Sequence, residues 1–567
     1  MKLINLLLKI AVFLSLTVVS LKLALANPVP VREIPRIPLL SPRLSLVPAP
    51  AERGSLVSLL PASPYWEEGG EGGEGNRSSL KTRILPIPRD ALIFSQTGNF
   101  SDATGPSVIE FSAPSISTPA SQAVQAPAAE SAAENSQAGQ TGNSVEVAVQ
   151  LFEDHQARAF AQYFNKIIVG KFPSADLISK QLWEMARQTR KKAALIYVTS
   201  FPEYLQTVSV FPNTGTAAGQ QRPDSKQSAN QGIAETKREA VEKTVRAWRG
   251  EIEPPPLGPG TGSLAEAKKL YEWLVQPLEP ALRSNQIDTL VFLMDAGLRS
   301  LPIAALHDGK QFLIEKYSVA LIPSFGLTDT RYSDLRSQII LATGASEFPD
   351  SDLPPLPAVP VELSAILRRP WQGISLLNED FTLDRFQSVN RQQHFGIIHL
   401  ATHAQFNRGD ARESFIQFRN AKLSLDKLGE VARKLGWPEP PPVEMLVLSA
   451  CETALGNEPE LGFAGIAVQT GVKSALASLW RVGDTATLAL MSEFYKQLAQ
   501  MPKPLKAEAL RRTQLAMLRK EVRLENGQLR LSDGDLIPLP PEMAAAEPAT
   551  FSDPHYWAGF TLIGYWN

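Results

Sequence analysis

The chain has 567 residues, room for roughly three or four average domains, and its 56 basic and 58 acidic side chains leave a net charge of −2. That balance, with no long basic block, excludes a nucleic-acid surface as the chain's main feature. A single cysteine excludes an intramolecular disulfide and a cluster of thiolate metal ligands, so the core must be held by packing.

The first 26 residues read as an export signal. Lysines at Lys2 and Lys9 precede an apolar run from Ile10 to Leu21, and Ala24-Leu25-Ala26 fits a small-x-small cleavage site. The run falls short of the ~20 residues a membrane span needs, and Lys22 interrupts its continuation. Cleavage would release a protein with no further membrane segment, destined for the periplasm or the exterior.

Residues 27–145 are expected to be disordered. They include a proline-rich stretch (Asn27 to Pro50), a Glu/Gly run (Glu67 to Gly75) and an Ala/Ser/Gln/Pro tract (Ser112 to Ser144), compositions that bury too little apolar area to offset chain entropy. A helical segment follows over 146–192. In it Val147, Val149, Leu151, Phe152, Phe160, Phe164 and Ile168 recur at helical spacing, and Ser174 caps a second helix.

From Ala193 to Asn567 the pattern becomes that of an α/β domain. Strands are expected at 193–198, 205–211, 289–294, 337–342, 395–400, 445–449 and 474–480. Helices are expected at about 234–249, 263–285 (opened by a capping box, Ser263 to Glu266), 363–367, 425–435, 463–470 and 485–498. Continuous apolar strands separated by helices imply a mostly parallel sheet covered on both faces. The closing run Tyr556 to Trp566 reads as an edge strand. Asn213 to Gly232 is a polar insert, and Gly258 to Gly262 is a linker rather than a phosphate loop, since no strand precedes it.

Chemistry concentrates at two strand ends. The single cysteine, Cys451, ends the apolar run Leu446-Val-Leu-Ser-Ala-Cys451, and His403 ends Ile397-Ile-His-Leu-Ala-Thr-His403, 48 residues earlier (451 − 403). Caspase-type peptidases place their histidine about 50 residues before the cysteine. A thiol needs a depressed pKa or a nearby base to act as a nucleophile, and a strand end feeding a helix offers both. The N–H groups of Ala404 and Cys451 are the candidate oxyanion donors. His399, four residues before His403 on the same strand face, falls in the apolar run and suits a supporting role. His155, His307, His394 and His555 have no motif around them. Asp484 caps the helix at Thr485 and is also the candidate carboxylate of a pocket for a basic P1 side chain, with Trp480 as its apolar wall. No pattern calls for a metal or a cofactor.

These residues carry a resemblance. Ile398-His-Leu-Ala-Thr-His403, Leu448-Ser-Ala-Cys-Glu-Thr-Ala-Leu-Gly456 and Gly471-Val-Lys-Ser-Ala-Leu-Ala-Ser-Leu-Trp480 resemble the CHAT domain family, a bacterial branch of the caspase-like clan CD peptidases close to separase. Gly297 to His307 and Leu313 to Tyr317 add to the likeness, which spans roughly 193–567. The resemblance implies a caspase-like α/β/α sandwich and a Cys451–His403 dyad. By analogy with the Leu-Trp-x-Val-x-Asp segment of separases it also implies a P1 carboxylate at Asp484. Ala404 stands where the family usually has glycine, and the helical repeats that often precede the domain are absent. The sequence thus points to an exported cysteine endopeptidase cleaving protein or peptide substrates after Arg or Lys. Arg222 and Lys226 are candidate self-processing sites. The alternative is a catalytically silent binding or scaffold domain of the same fold; a third reading is a thiol-dependent acyl transferase using the same dyad.

Overall fold

Among the described residues the largest sheet has eleven strands. In chain order they are β1 (Ala193–Ser200), β2 (Tyr204–Val210), β3 (Gln231–Ala234), β4 (Thr289–Met294), β5 (Ser318–Leu321), β6 (Ile339–Gly344), β7 (Gln372–Leu377), β8 (Ile397–Ala401), β9 (Met445–Ser449), β10 (Ser474–Ser478) and β11 (Phe560–Gly564). The spatial order is β3-β2-β1-β4-β5-β11-β10-β9-β8-β6-β7. The computed structural model describes residues 108–110, 141–163, 167–169, 172–213, 231–234, 236–253, 264–295, 297–349, 351–405, 412–449, 465, 470–544 and 549–567, all within one unit, Asn99–Asn567. The signal at 1–26, most of the tract at 27–145, most of the insert, including Arg222 and Lys226, the Gly258–Gly262 linker and Cys451 lie outside them.

Direction divides the sheet in two. Strands β1, β4, β5 and β11 run parallel to one another, as do β10, β9, β8, β6 and β7, and the two sets meet where β11 pairs antiparallel with β10. The interior strands are apolar because helices cover the sheet: every residue of β4, β8 and β9 is buried. The architecture is the α/β class expected, with a mostly parallel sheet and flanking helices.

The placement of β11 corrects the expectation of an edge strand. It is sixth of the eleven, and its Phe560, Leu562 and Ile563 are all at most 1% exposed. A strand apolar on both faces has no charged side to turn to solvent, and an interior position is where such a run belongs. Three strands of this sheet escaped the sequence reading: β3 lies where a polar insert was expected to give way to a helix, and the other two are β5 and β7. β5 has only four residues, and in β7 the residues from Gln372 to Ser375 are exposed. The expected helix at 263–285 is broken into Ala265–Leu274, a 3₁₀ turn at Gln276–Leu278 and Glu279–Ser284, with Pro277 and Pro280 opening the later pieces. Leu264 is the N-cap of the first piece and gives no side-chain cap, and Ser263 of the expected capping box lies outside the described residues.

Upstream, helix α1 (Thr141–Tyr163) begins inside the tract expected to be unstructured and stops before Ile167–Val169. The helical spacing read through Ile168 is thus overturned: this β-branched triplet forms a strand paired in parallel with Val108–Glu110. A second helix, α2 (Ala175–Thr189), is capped as expected, the Ser174 hydroxyl accepting from the Leu177 N–H. One buried carboxylate fastens α1 to the first half-sheet. Glu153 accepts from the Tyr197 hydroxyl at 3.0 Å, from the Phe325 and Gly326 N–H groups at 2.9 and 3.3 Å, and from the Ser324 hydroxyl.

Since β11 joins the half-sheets, trimming it costs more than an edge truncation. Leu562→Ala is expected to lower unfolding free energy by about 2–5 kcal/mol, measured by urea denaturation; a loss under about 0.5 kcal/mol, the level of a neutral surface change, would contradict the interior placement.

Candidate active site

Parallel pairing sets which side chains meet at the sheet's edge. In the β8–β9 pair Ala401 stands opposite Ser449, and in the β8–β6 pair it stands opposite Gly344. His403 is two residues beyond Ala401, and in the sequence Cys451 is two residues beyond Ser449, the partner of Ala401 in the register. Ligands and catalytic groups of such sheets gather at the carboxyl ends of the strands. Gly344 keeps this edge tight: a Cβ there would stand 2.3 Å from the Ala401 carbonyl oxygen.

His403 is 5% exposed, and its Nε2 lies 2.9 Å from the Pro354 carbonyl oxygen. A carbonyl only accepts, so Nε2 carries the proton and Nδ1 is the basic nitrogen of the ring. Phe348 packs against the imidazole with ring centres 4.9 Å apart. Beyond His403 the chain turns into a short strand, Ala404–Gln405, paired antiparallel with Phe415–Gln417. The Gln417 N–H donates to the His403 carbonyl at 2.8 Å, bracketing the Ala404–Ile416 pair. That is the pattern of a pair exchanging no hydrogen bond of its own, so the Ala404 N–H points away from Ile416.

Asp484 is not the N-cap. Gly483 takes that position, and Asp484 is the first residue of helix α3 (Asp484–Gln500). Its side chain reaches another helix instead: Oδ2 accepts the N–H of Ala358 at 2.6 Å, and Ala358 is the N-cap of α4 (Val359–Ile366). The expected local cap is thus replaced by a cap across the fold. Burial pushes the Asp484 carboxyl up to about 6, the Ala358 N–H opposes the rise and nearby Glu362 adds to it. Trp480 lies in the core at 0% exposure, its Nε1–H donating to the His555 carbonyl at 2.9 Å and its ring so close to Gly559 that a Cβ there would come within 2.9 Å.

His399 is fully buried beneath the edge. Its Nε2 lies 2.9 Å from Glu362 Oε1 and its Nδ1 3.2 Å from the Tyr495 hydroxyl. With Glu362 as carboxylate, Nε2–H donates to it and the tyrosine donates to Nδ1. His155 is exposed, His307 accepts the Gly309 N–H, and burial lowers the pKa of His307, His394 and His555. Among the described residues no group of three or more His, Cys, Asp or Glu side chains is arranged to hold a metal. The sequence reading missed Pro354, Ala358 and Glu362. The first two act through backbone groups, which no residue type announces. Glu362 did leave a signal, a lone acid inside the apolar turn Val359-Pro-Val-Glu-Leu363.

A mostly parallel α/β sheet with a carbonyl-held histidine at one strand end and a half-buried carboxylate two strands away defines a domain built around that carboxyl edge. The chain belongs to the CHAT domain family, whose model matches residues 264–565, more than half of its length. The match begins after β1, β2 and β3, which complete the sheet from upstream. Similar solved structures include two of the Saccharomyces cerevisiae separase–securin complex. One is 8% identical over 69% of this chain and 32% of that chain, with TM-score 0.34; the other is 9% identical over 69% and 30%, with TM-score 0.36. The complex of Porphyromonas gingivalis RgpB pro- and mature domains is also similar, 10% identical over 58% of this chain and 76% of that chain, with TM-score 0.33. The chain spans about a third of the length of the separase chains. No curated protein sequence is detectably similar.

An acid whose folded pKa lies above its unfolded value of ~3.9 favours folding least when ionised. The stability linked to Asp484 is therefore full below pH ~4 and is lost as pH rises through about 6. Asp484→Asn, which keeps an oxygen for Ala358, is expected to raise the melting temperature at pH 7.5 and to lose that advantage by pH 4. Melting curves across this range check it, and an equal shift at every pH would contradict it.

Proposed function

We propose that the chain is a cysteine endopeptidase that cleaves after Arg or Lys, with Cys451 as nucleophile and His403 as base. The observation that carries this reading is the hydrogen bond from His403 Nε2–H to Pro354, which fixes the tautomer in which Nδ1 can accept a proton. In the proposed cycle Nδ1 takes the thiol proton and the Cys451 sulfur attacks the scissile carbonyl carbon. The N–H groups of Ala404 and Cys451 stabilise the oxyanion. Nδ1–H then protonates the leaving amine, a thioester remains, and water activated by the same nitrogen hydrolyses it. Asp484, half-buried at the same carboxyl edge, is proposed to pair with the basic P1 side chain. Trp480, expected as an apolar wall of that pocket, has no exposed surface and serves instead as core packed against Gly559. The substrate is a polypeptide, the chemistry requires no cofactor, and export is proposed from the leader at 1–26.

A second reading, a silent binding domain, rests on Ala404. It is 1% exposed, and its methyl group occupies the place where the family usually has glycine.

Treating the full chain with an arginyl acyloxymethyl ketone, with and without calcium, separates the two. Labelling at Cys451 that disappears in Cys451→Ala and falls by roughly 10²-fold or more in His403→Ala is the expected result. Fragments cut after Arg222 or Lys226 in wild type but not in Cys451→Ala would show self-processing. Labelled protein that turns over no arginyl peptide would be a transferase. Unlabelled, intact protein under every condition would leave the silent domain.

A further inference from the structure

One short segment supplies a hydrogen-bond partner to each of His403, Asp484 and His399. The Pro354 carbonyl holds His403 at 2.9 Å, the Ala358 N–H holds Asp484 at 2.6 Å, and Glu362 holds His399 at 2.9 Å. The three contacts are spaced four residues apart, at 354, 358 and 362. They close a ring, because Tyr495, on the helix that Asp484 opens, bonds to His399 Nδ1, and β8 with its extension carries both histidines.

The segment is built to transmit displacement. Pro354, Pro355 and Pro357 fix φ at three of its four positions before Ala358. The Leu356 N–H is tied to the Ser346 carbonyl at 2.9 Å and the Val359 N–H to Leu356 at 3.2 Å. At its far end Glu362 and His399 are buried, with side chains 2% and 0% exposed, so that end cannot give way. A cation arriving at Asp484 competes with Ala358 for the carboxylate through a stronger, charge-assisted bond. With Glu362 pinned, the slack released at Ala358 runs toward Pro354.

We infer that Pro354–Ile366 couples the two ends of the site: a cationic side chain bound at Asp484 is sensed by Ala358 and resets the His403 imidazole through Pro354, with Glu362 as the positioning residue that anchors the segment. This rests on the peptidase reading for its purpose, since it makes the base answer to the correct P1 residue. The coupling itself is a property of the hydrogen-bonded ring.

Benzamidine, a small amidinium, is the probe. Full-length protein labelled with ¹⁵N-histidine is titrated with it while the ring nitrogens are followed by NMR, and Cys451 alkylation by iodoacetamide is timed in parallel. In wild type, binding is expected to move the His403 nitrogens and to change the alkylation rate by about 5-fold or more. Glu362→Gln, which retains an acceptor for His399, is expected to keep both responses. Glu362→Ala is expected to bind benzamidine within about 2-fold of wild type yet lose both responses, with arginyl-peptide turnover falling in kcat by on the order of 10²-fold and KM little changed. Benzamidine that binds wild type without moving His403, or does not bind, overturns the coupling whatever Glu362→Ala does. If His403 moves but no arginyl peptide is turned over, the coupling stands and the peptidase reading falls.

Discussion

The chemistry open to this chain depends on a register. Ala401 lies opposite both Ser449 and Gly344, so β6, β8 and β9 end side by side. A slip of one residue in a strand buried on both faces would reverse every side chain and set His403 on the wrong side. Such slips are resisted by packing along β8, where Ile397, Ile398 and Leu400 are each at most 1% exposed. They are resisted again at Gly344, where the Ala401 carbonyl has no room to accept a larger neighbour. The same crowding that makes the sheet specific aims the imidazole.

The second half of the site is fixed by the antiparallel joint. The loop from β10 to Asp484 is held by the C-terminal segment, with the Leu479 N–H on the Gly559 carbonyl at 2.8 Å and Trp480 Nε1–H on His555 at 2.9 Å. Asp484 then sits at the start of two helices, its own and α4, whose dipoles favour an anion. Burial wins nonetheless and holds the carboxyl near 6. A half-buried carboxylate with a backbone donor and a second acid nearby is poorly satisfied, which is the state in which a guanidinium or ammonium gains most by arriving.

Some of this was legible in the sequence because burial leaves a plain mark. Thr289–Met294 and Met445–Ser449 match their expected bounds, being unbroken apolar runs with polar residues on either side. His403 was legible from its place after such a run, and His399 from its place within it. What sequence conceals is neighbourhood. The C-terminal strand was recognised but assigned to an edge, since hydrophobicity marks a strand without naming the strands beside it. β7 was missed because an outer strand with exposed Gly373 and Ser375 resembles a loop. Asp484 showed itself as a helix start, yet its partner lies 126 residues away, and nothing at 484 points to Ala358. Pro354 works through a carbonyl that every residue has.

The chain order of the sheet sets a schedule for its assembly. β11 is the last of the eleven strands to be synthesised, yet it fills the middle of the sheet. Until it arrives, β5 on one side and β10 on the other each present an unpaired inner edge, and the long sequence separation makes closure slow. The nascent protein is thus two half-sheets awaiting a shared strand, with the loop to Asp484 unanchored. Neither the complete fold nor an assembled site can exist before translation has passed Gly564, a built-in delay during which the chain depends on its surroundings to keep those edges apart.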